Sequence, residues 1–407
     1  MSETALRVAP QDYAPPDVIN RWRMRAVIIG LPFAAISVVC IFKNKGLFLQ
    51  SWLVAFMFWL GLTLGSLTLL MLQYTSGGNW GRLGRRFWEA ATRTLPLMIV
   101  FFIPIAVGMW TDRLYPWTHM TATELGASKI ALYLNRNFFL ARAFIYFAGW
   151  GFLAWKMNSW SKREEAGQTT PAQFVPIQNW SGFGIVFYGL SITFASIDWT
   201  MSLNPQWWST VWGMLFMVGE VLSTFAFTIV LLVRLAQVEP ISRMFKTDFL
   251  HDFGKLMFAF VVLWAYLSFS QWLIIWSGNM LSEINWYRIR LHGGWQYFGP
   301  ILIFFHFIFP FALLLSRSLK RHGGRVVMIA LLILAMRHVD LFWQIAPNFY
   351  PGDHINALKW WEIAMYFVNT IAMGGLWLAF FFWQLGRRPL MPVNDPHFVE
   401  MLEAKHG

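Results

Sequence analysis

Cysteine and charged residues are both scarce in this 407-residue sequence. Cys40 is its single cysteine, so the chain by itself cannot form an internal disulfide, hold an iron–sulfur cluster or attach a haem covalently. Any redox metal would have to be bound by histidine or by another subunit. Charged residues make up 13% of the chain and hydrophobic residues 57%. Such a composition argues against a surface that faces water and favours a bilayer as the solvent.

Long apolar runs recur along nearly the whole sequence. A helix that rises 1.5 Å per residue needs about 20 residues to cross roughly 30 Å of hydrocarbon. The ten runs of suitable length lie near Ala26–Phe42, Leu49–Tyr74, Leu95–Trp110, Phe138–Met157, Gly182–Ile197, Trp207–Val233, Phe253–Trp276, Gln296–Leu315, Val326–Ala346 and Trp361–Leu385. The pattern predicts an all-α integral membrane protein of about ten transmembrane helices.

The basic residues concentrate in alternate loops between these runs. If the N-terminus is cytoplasmic, 22 of the 32 Lys and Arg residues fall on the cytoplasmic side, as the positive-inside rule requires. We therefore interpret the net charge of +12 as a topology signal and expect no nucleic-acid partner. Because the first 25 residues lack an apolar core with a cleavage site, no signal peptide is predicted. The expected topology has multiple spans and both termini cytoplasmic.

Polar segments at 159–179 and 200–206 separate the helices into groups. We predict two four-helix bundles, formed by helices 2 to 5 and 6 to 9, with helices 1 and 10 at the periphery. The resulting division is a cytoplasmic N-terminal segment (1–25), peripheral helix 1 (26–46), the first bundle (47–199), the second bundle (200–347), a periplasmic loop with helix 10 (348–386) and a cytoplasmic C-terminal tail (387–407).

Glu220 is the clearest ionisable residue inside a predicted span. A charge at the bilayer centre costs about 2.5 to 3.5 kcal/mol on insertion scales, so it calls for a partner, water or a function. Ser223, Thr224 and Thr228 follow Glu220 on the same helix face, and the row could carry a proton through hydroxyls and water. The alternative is a protonated Glu220 bonded to a neighbouring helix, with hydroxyls that bond to their own helix.

Two histidines and further acids lie in or beside the later spans. His306 falls near the middle of helix 8, and His338 lies beside Arg337 and close to Asp340 on helix 9. The two histidines together could ligate a b-type haem, although each alone is more often a satisfied interior residue. Polar groups that include Asp198 and Glu283 on the outer side and Asp252 on the inner side outline two half-paths toward Glu220 and His306.

The later motifs resemble a known family. They are Ser196–Thr210 (SIDWTMSLNPQWWST), Phe269–Asn279 (FSQWLIIWSGN), Glu283 followed by Trp286-Tyr287-Arg288, His306 with Pro310-Phe311, Arg337 to Asp340, and Arg387 through Pro396. They are similar to motifs of the NrfD-like (polysulfide reductase C-like) membrane subunits, and within that family to the F subunits (ActF) of bacterial alternative complex III. The resemblance covers nearly the full length.

The resemblance implies a location in the bacterial plasma (inner) membrane, as a subunit of a quinol-oxidising electron-transfer complex in a respiratory or photosynthetic chain. Its expected partners are the homologous C subunit, subunits that carry iron–sulfur clusters and c-type haems, the menaquinol or ubiquinol pool, and a periplasmic carrier or attached terminal oxidase. This chain is expected to hold no redox cofactor or metal of its own, although lipids are expected around it, and its role would be scaffolding and proton translocation. The implied path residues are Asp198, Glu220, Asp252, Glu283, His306, His338 and Asp340.

Two other functions compete with this expectation. The chain could itself bind quinol, with His306 or His338 accepting a proton and aromatic side chains flanking the ring. It could also be an independent secondary transporter, a function that inverted repeats and broken helices would favour. The apparently intact helices argue against the transporter, and no catalytic residue is assigned.

Overall fold

The computed structural model describes residues 13–78, 80–121, 124, 132–168, 174–245, 247–350 and 359–392, and in this part of the chain the regular secondary structure is helical. The longer helices are α1 (Asp17–Lys43), α2 (Lys45–Ser76), α3 (Arg82–Thr92), α4 (Leu95–Trp110), α5 (Arg136–Glu165), α6 (Phe174–Trp199), α7 (Trp212–Leu235), α8 (Thr247–Gly278), α9 (Leu281–Arg290), α10 (Phe298–Leu302), the π-helix π1 (Ile303–Ile308), α11 (Phe309–Leu315), α12 (Gly323–Ile345) and α13 (Trp360–Leu385). Short helical turns lie at Pro116–Thr118, Met201–Leu203, Ile241–Met244, Trp295–Tyr297, Arg317–Arg321 and Ala346–Phe349.

Nine helical segments in the described residues are long and apolar enough to cross a membrane. A tenth results if α3 and α4, which meet at a bend of 44°, count as one span. Pro96 explains this break, because a proline inside a continuous helix removes one backbone hydrogen bond and clashes with the preceding turn. The helical fold and the number of candidate spans agree with the prediction from apolar runs.

The centre of the molecule is formed by α2 and α7. In α2, 89% of the apolar window is buried within the protein, and in α7 78%, whereas in α1 the share is only 17%. The first helix group contains α2, α4, α5 and α6, and the second contains α7, α8, the α10–π1–α11 span and α12. Contacts of α7 with α2 and α6 join the two groups. Outside them, α13 packs against α2, and α1 packs mainly against α13.

Several helix ends differ from the apolar runs. The first helix begins at Asp17, not near Ala26, because Pro16 precedes an acidic first turn and arginine is a good helix former. The amphipathic helix α9 was not predicted, since its charged residues hide it from a hydropathy window. The tail beyond residue 392 and the predicted loop at 351–358 lie outside the described residues.

The eighth predicted span is not a continuous α-helix. Its middle, Ile303–Ile308, is a π-helix in which the backbone N–H of Phe309 donates to the carbonyl of Phe304. Pro310 accounts for the change, because it has no N–H for the carbonyl of His306 and its ring crowds that carbonyl. The expectation of intact helices is therefore wrong for this span, whereas the predicted run Leu95–Trp110 is the continuous helix α4.

Two names for the ends of the molecule are used below. The α9 side is the end that carries Leu281–Arg290, and the α3 side is the opposite end, which carries Arg82–Thr92.

Candidate functional site

Glu220 lies at a closely packed crossing of α7 and α2. Glu220 is only 1% exposed to solvent. A Cβ added at Gly61 of α2 would lie 3.1 Å from Cγ of Glu220, and one added at Gly65 would collide with the carbonyl of Glu220. The two glycines thus let the helix backbones approach each other, as small residues do in packed membrane helices. Glu220 is consequently held in the protein interior.

The Glu220 carboxyl group has one close hydrogen-bond partner. The hydroxyl of Tyr188, on α6, donates to Oε2 of Glu220 at 2.6 Å. The other oxygen, Oε1, is buried and has no hydrogen-bond partner among the described residues. A buried carboxylate without a cation partner is costly, so this geometry favours a carboxyl group that holds a proton.

Arg337 and Asp340 form a buried ion pair on the adjacent helix α12. Nη1 of Arg337 lies 2.6 Å from Oδ2 of Asp340, and the two side chains are only 3% and 2% exposed. Gln344 donates to Oδ1 of Asp340 at 2.8 Å, and the indole N–H of Trp264 lies 3.3 Å from Oδ2. Asp340 is therefore held by donors from two helices.

The guanidinium group of Arg337 links this ion pair to Glu220. It rests against Gly219, so that a Cβ added there would fall among the guanidinium atoms. It also lies 5.5 Å from the centre of the Phe216 ring, one turn earlier on α7. Because Gly219 directly precedes Glu220, the charge of Arg337 acts on both carboxyl groups.

His306 joins the same group of residues through Trp264. The centres of the two rings are 4.3 Å apart, and Trp264 is also the indole donor to Asp340. His306 is fully buried, and neither ring nitrogen has a hydrogen-bond partner among the described residues. The structure thus places three candidates, Glu220, Asp340 and His306, around Arg337 and Trp264; we call these five residues the Arg337 cluster.

A cavity of about 730 Å³ opens beside the Arg337 cluster, toward the α9 side. Asp340, Gln344 and Trp264 form part of its wall. Most other lining groups are aromatic or apolar, including Trp212, Tyr266, Phe269, Trp272, Trp286, Tyr287, Phe307 and Trp343, with polar atoms from Ser268, Gln271, Arg290 and Gln296. A cavity of this size with a few polar groups on apolar walls is typical of small-molecule sites.

Comparisons with known proteins do not identify a family for this chain. A scan against models of protein families matches none, and a search of the curated proteins finds no match either.

Asp198 lies apart from the Arg337 cluster, on the other helix group. Its carboxylate accepts hydrogen bonds from Arg142 at 2.7 and 2.9 Å and from the Tyr146 hydroxyl at 2.8 Å. Both partners belong to α5. The structure places Asp198 about 15 Å along α6 from Tyr188, given a rise of 1.5 Å per residue over ten residues.

Three other predicted path residues also lie away from the cluster. Asp252 is 45% exposed and pairs with Lys255 at 3.1 Å near the start of α8. Glu283 is half-buried on the surface helix α9. His338 packs against Phe58 and Phe367, with its Nδ1 3.3 Å from the hydroxyl of Thr370.

The two histidines consequently have different surroundings, His338 toward α2 and α13 and His306 toward Trp264 of α8. Among the described residues, no three His, Cys, Asp or Glu side chains form a group that could hold a metal ion.

The hydroxyl row below Glu220 bonds to its own helix. Ser223, Thr224 and Thr228 each donate to the carbonyl four residues earlier, at 2.7 to 2.9 Å. The hydroxyl of Thr228 also accepts a hydrogen bond from the indole N–H of Trp88 at 2.9 Å. This arrangement is the alternative that the sequence left open, and proton transfer along the row stays a prediction.

Sequence reasoning missed the two donors that shape the site, Tyr188 and Trp264. Each is one of several aromatic residues in its helix, so neither composition nor spacing distinguishes it from the other aromatic residues there. The only signal in the sequence that could have found them is the polar O–H or N–H group that each carries on a helix next to α7. Arg337 was noticed only as a partner of Asp340, because its contact with α7 depends on how two distant helices pack.

Proposed function

We propose that this chain is an integral membrane subunit of a quinol-oxidising complex of the alternative complex III type, with a scaffolding and proton-translocating role. The observation that carries the proposal is the Arg337 cluster, in which two buried carboxyl groups share one cation next to a cavity. Buried ionisable residues in transmembrane helices commonly mark proton and ion paths. The NrfD-like motifs add support, because His306, Arg337 and Asp340 belong both to the motifs and to the cluster.

The proposed path uses the two ends of the Arg337 cluster. Protons exchange with the α9 side through the cavity, whose wall contains Asp340, Gln271 and Tyr266. Glu220, with Tyr188 as its donor, is the acid of the Arg337 cluster from which protons leave toward the α3 side. Moving one proton across 100 mV changes its energy by about 2.3 kcal/mol, so the path has to be closed at one point, and Glu220 lies at that point.

The test compares Glu220→Gln with Asp112→Asn in the whole complex reconstituted in vesicles. Glutamine keeps the shape and accepts the hydrogen bond from Tyr188 but cannot exchange a proton. We expect quinol oxidation to continue while fewer protons are moved per quinol oxidised. Asp112 is paired with Arg136 outside the cluster and is the matched control. A Glu220→Gln complex with normal oxidation and an unchanged proton stoichiometry would reject the assignment.

A second candidate function is quinol binding by this chain, and the cavity favours it. Indole and phenol rings line a space of about 730 Å³, and Asp340, Gln344 and Gln271 offer hydrogen-bonding atoms at its wall. A flat quinone ring suits such walls. Asp340 or His306 would be near enough to the cavity wall to take part in removing the quinol protons.

The test of quinol binding fills the cavity without touching its charged groups. Gly299 lines the cavity, and a Cβ added there meets no atom within 4 Å. Gly299→Phe should therefore abolish labelling of α8 and α9 by a photoreactive quinone. Gly182→Phe, at an equally open glycine of α6, should leave labelling intact. Labelling confined to a companion subunit in the unmodified complex would count against this function.

The structure gives no comparable support to an independent transporter. Such folds pair broken helices at corresponding positions of two repeats. Within the described residues, the breaks fall in the second span of one helix group, α3–α4, and in the third span of the other, α10–π1–α11. These positions do not correspond.

A further inference from the structure

The Arg337 cluster contains one fewer cation than it has acids. Arg337 is its only guanidinium group in the described part of the chain, whereas Glu220 and Asp340 are both acids and both at least 98% buried. Desolvating an unpaired charge is expensive, so a low-dielectric cluster tends toward electrical neutrality. A charged His306 would be unpaired, because neither of its ring nitrogens has a hydrogen-bond partner among the described residues. One of the two carboxyl groups must then carry a proton while the other pairs with Arg337.

Arg337 is placed where it can serve either acid. In the structure it bonds to Asp340 through Nη1 at 2.6 Å, and its other nitrogens donate no hydrogen bond within the described residues. Its guanidinium group lies against Gly219, the neighbour of Glu220. Oε1 of Glu220 has no hydrogen-bond partner there, so a carboxylate at Glu220 has a free acceptor for these unused donors.

The Asp340 side chain keeps two other hydrogen-bond donors when the guanidinium group moves away. The side chains of Gln344 and Trp264 hold its two oxygens independently of Arg337. Its side chain also contributes to the cavity wall, from which a proton can reach it. Once protonated, Asp340 remains anchored by the same two donors.

We propose that Arg337 is a positioning residue whose guanidinium group exchanges between Asp340 and Glu220 while it lies against Gly219 of α7. This inference rests on the proposed proton-translocating function and names the element that gates it. When Glu220 releases its proton to water on its side, the O–H bond breaks and the carboxylate takes Arg337. Asp340 then binds one proton from water in the cavity. The cycle closes when the proton on Asp340 passes to Glu220 and the guanidinium group returns to Asp340. The net charge of the cluster is the same before and after the cycle.

Exchange of one cation between two acids also explains why the path would not leak. At any time the acid paired with Arg337 is a carboxylate and the other is protonated. A proton can therefore not be taken up at one acid and released at the other without movement of the guanidinium group between two states. Gly219 matters because any side chain there would occupy the place of that group.

Infrared spectroscopy of the purified chain or the whole complex can test the exchange through the carbonyl stretching band of a protonated carboxyl group. Glu220→Gln identifies the Glu220 band by its disappearance. In Asp340→Asn, a mobile Arg337 turns to Glu220, which gives up its proton, so we expect the Glu220 band to be lost. If Arg337 is instead a fixed structural partner of position 340, the band persists, and this result would overturn the proposal.

Adding Gly219→Ala should reverse the loss of the Glu220 band in Asp340→Asn. Its methyl group displaces the guanidinium group from α7, so the band should return in the double variant Asp340→Asn/Gly219→Ala. Gly182→Ala, at a glycine with open space around it, should not restore the band. If Asp340→Asn does not fold, Gly219→Ala alone is measured: a shifted Glu220 band supports the proposal and an unshifted one overturns it.

The spectroscopic result is independent of the proposed function. A persistent band in Asp340→Asn rejects the exchange even if the complex translocates protons. Conversely, loss of the band together with a normal proton stoichiometry in the Glu220→Gln complex rejects the translocating role and leaves the exchange standing.

Discussion

Asp198 and Glu220 show how the partner of a buried acid determines what the acid can do. Both are almost completely buried. Asp198 receives two hydrogen bonds from one guanidinium group and a third from Tyr146, whereas Glu220 has a single phenol donor. Charge-assisted hydrogen bonds of this kind hold a carboxylate in a fixed position. We therefore expect Asp198 to stabilise the first helix group and not to relay protons.

Arg142→Met tests this difference through stability. Removing the cation leaves Asp198 as a buried charge, and we expect the free energy of unfolding to fall by about 3–5 kcal/mol. Arg136→Met is the matched control, because its pair with Asp112 is partly exposed, at 39% and 31%, and such pairs contribute about 0–1 kcal/mol. Thermal unfolding in detergent measures both variants. Equal losses would show that Asp198 does not depend on Arg142.

Helix contacts in this molecule depend on small residues at the crossings. In a bilayer, lipid tails are as apolar as leucine, so close packing and hydrogen bonds must hold helices together. Where α1 crosses α13, a Cβ on Gly375 would collide with the backbone of Gly30. Ser37 donates to Asn369 at 2.5 Å, and Asn369 donates to Ser51 at 2.6 Å, which joins α1, α13 and α2.

Gly375→Ala should weaken the attachment of α1. The added methyl group has no room at the crossing, and overpacking of this kind typically costs about 1–3 kcal/mol. We expect a lower unfolding temperature and faster proteolysis in α1. Gly182→Ala adds the same methyl group to α6 in open space and should be neutral or slightly stabilising, since alanine favours helix. Indistinguishable behaviour of the two variants would contradict the close crossing.

The π-helix shows how one proline acts over a whole element. Pro310 prevents the regular hydrogen bond to the carbonyl of His306 and widens the turn that contains this histidine. The neighbouring residues Ile303 and Phe307 then line the cavity, while the His306 ring packs on Trp264. π-helices are frequent at functional sites, and here the widened turn faces the Arg337 cluster.

At the scale of the whole molecule, the C-terminal segment binds α3, and the N-terminal segment binds the C-terminal segment. Glu89 lies 3.1 Å from Arg85, 2.7 Å from Arg86 and 3.4 Å from Arg388. The backbone N–H of Leu390 donates to the carbonyl of Tyr13 at 2.9 Å. The network thus includes Tyr13 and Leu390, which are 390 − 13 = 377 positions apart in sequence, and it lies on the α3 side, away from the cavity.

Arg388→Gln should release the C-terminal segment. Losing one charged hydrogen-bond donor of Glu89 should cost about 1–3 kcal/mol. The expected readout is faster cleavage near residues 386–392 in limited proteolysis, with an unchanged helical content. Arg387→Gln is the neighbouring control, because Arg387 is exposed and stacks on Trp383 at 4.0 Å. A similar cleavage rate for both variants would show that the network does not hold this segment.

The apolar runs by themselves determined the helical fold and the number of candidate spans, because each span must satisfy its backbone hydrogen bonds internally and reach a set length. They also singled out Glu220, His306 and Asp340, since an ionisable residue is conspicuous in an apolar run. The bends and the π-helix escaped prediction, because hydropathy does not register a proline's effect on backbone geometry.

Only the tertiary structure decided which of these residues work together. A side chain's partner depends on the rotation of its helix, and hydropathy is nearly the same on every face of a helix buried in protein. Helix packing therefore determined that Asp198 pairs with Arg142 and that His338 contacts Thr370. It brought Arg337 of α12 against Gly219 of α7, so the central contact of the site joins residues that are 118 positions apart in the sequence.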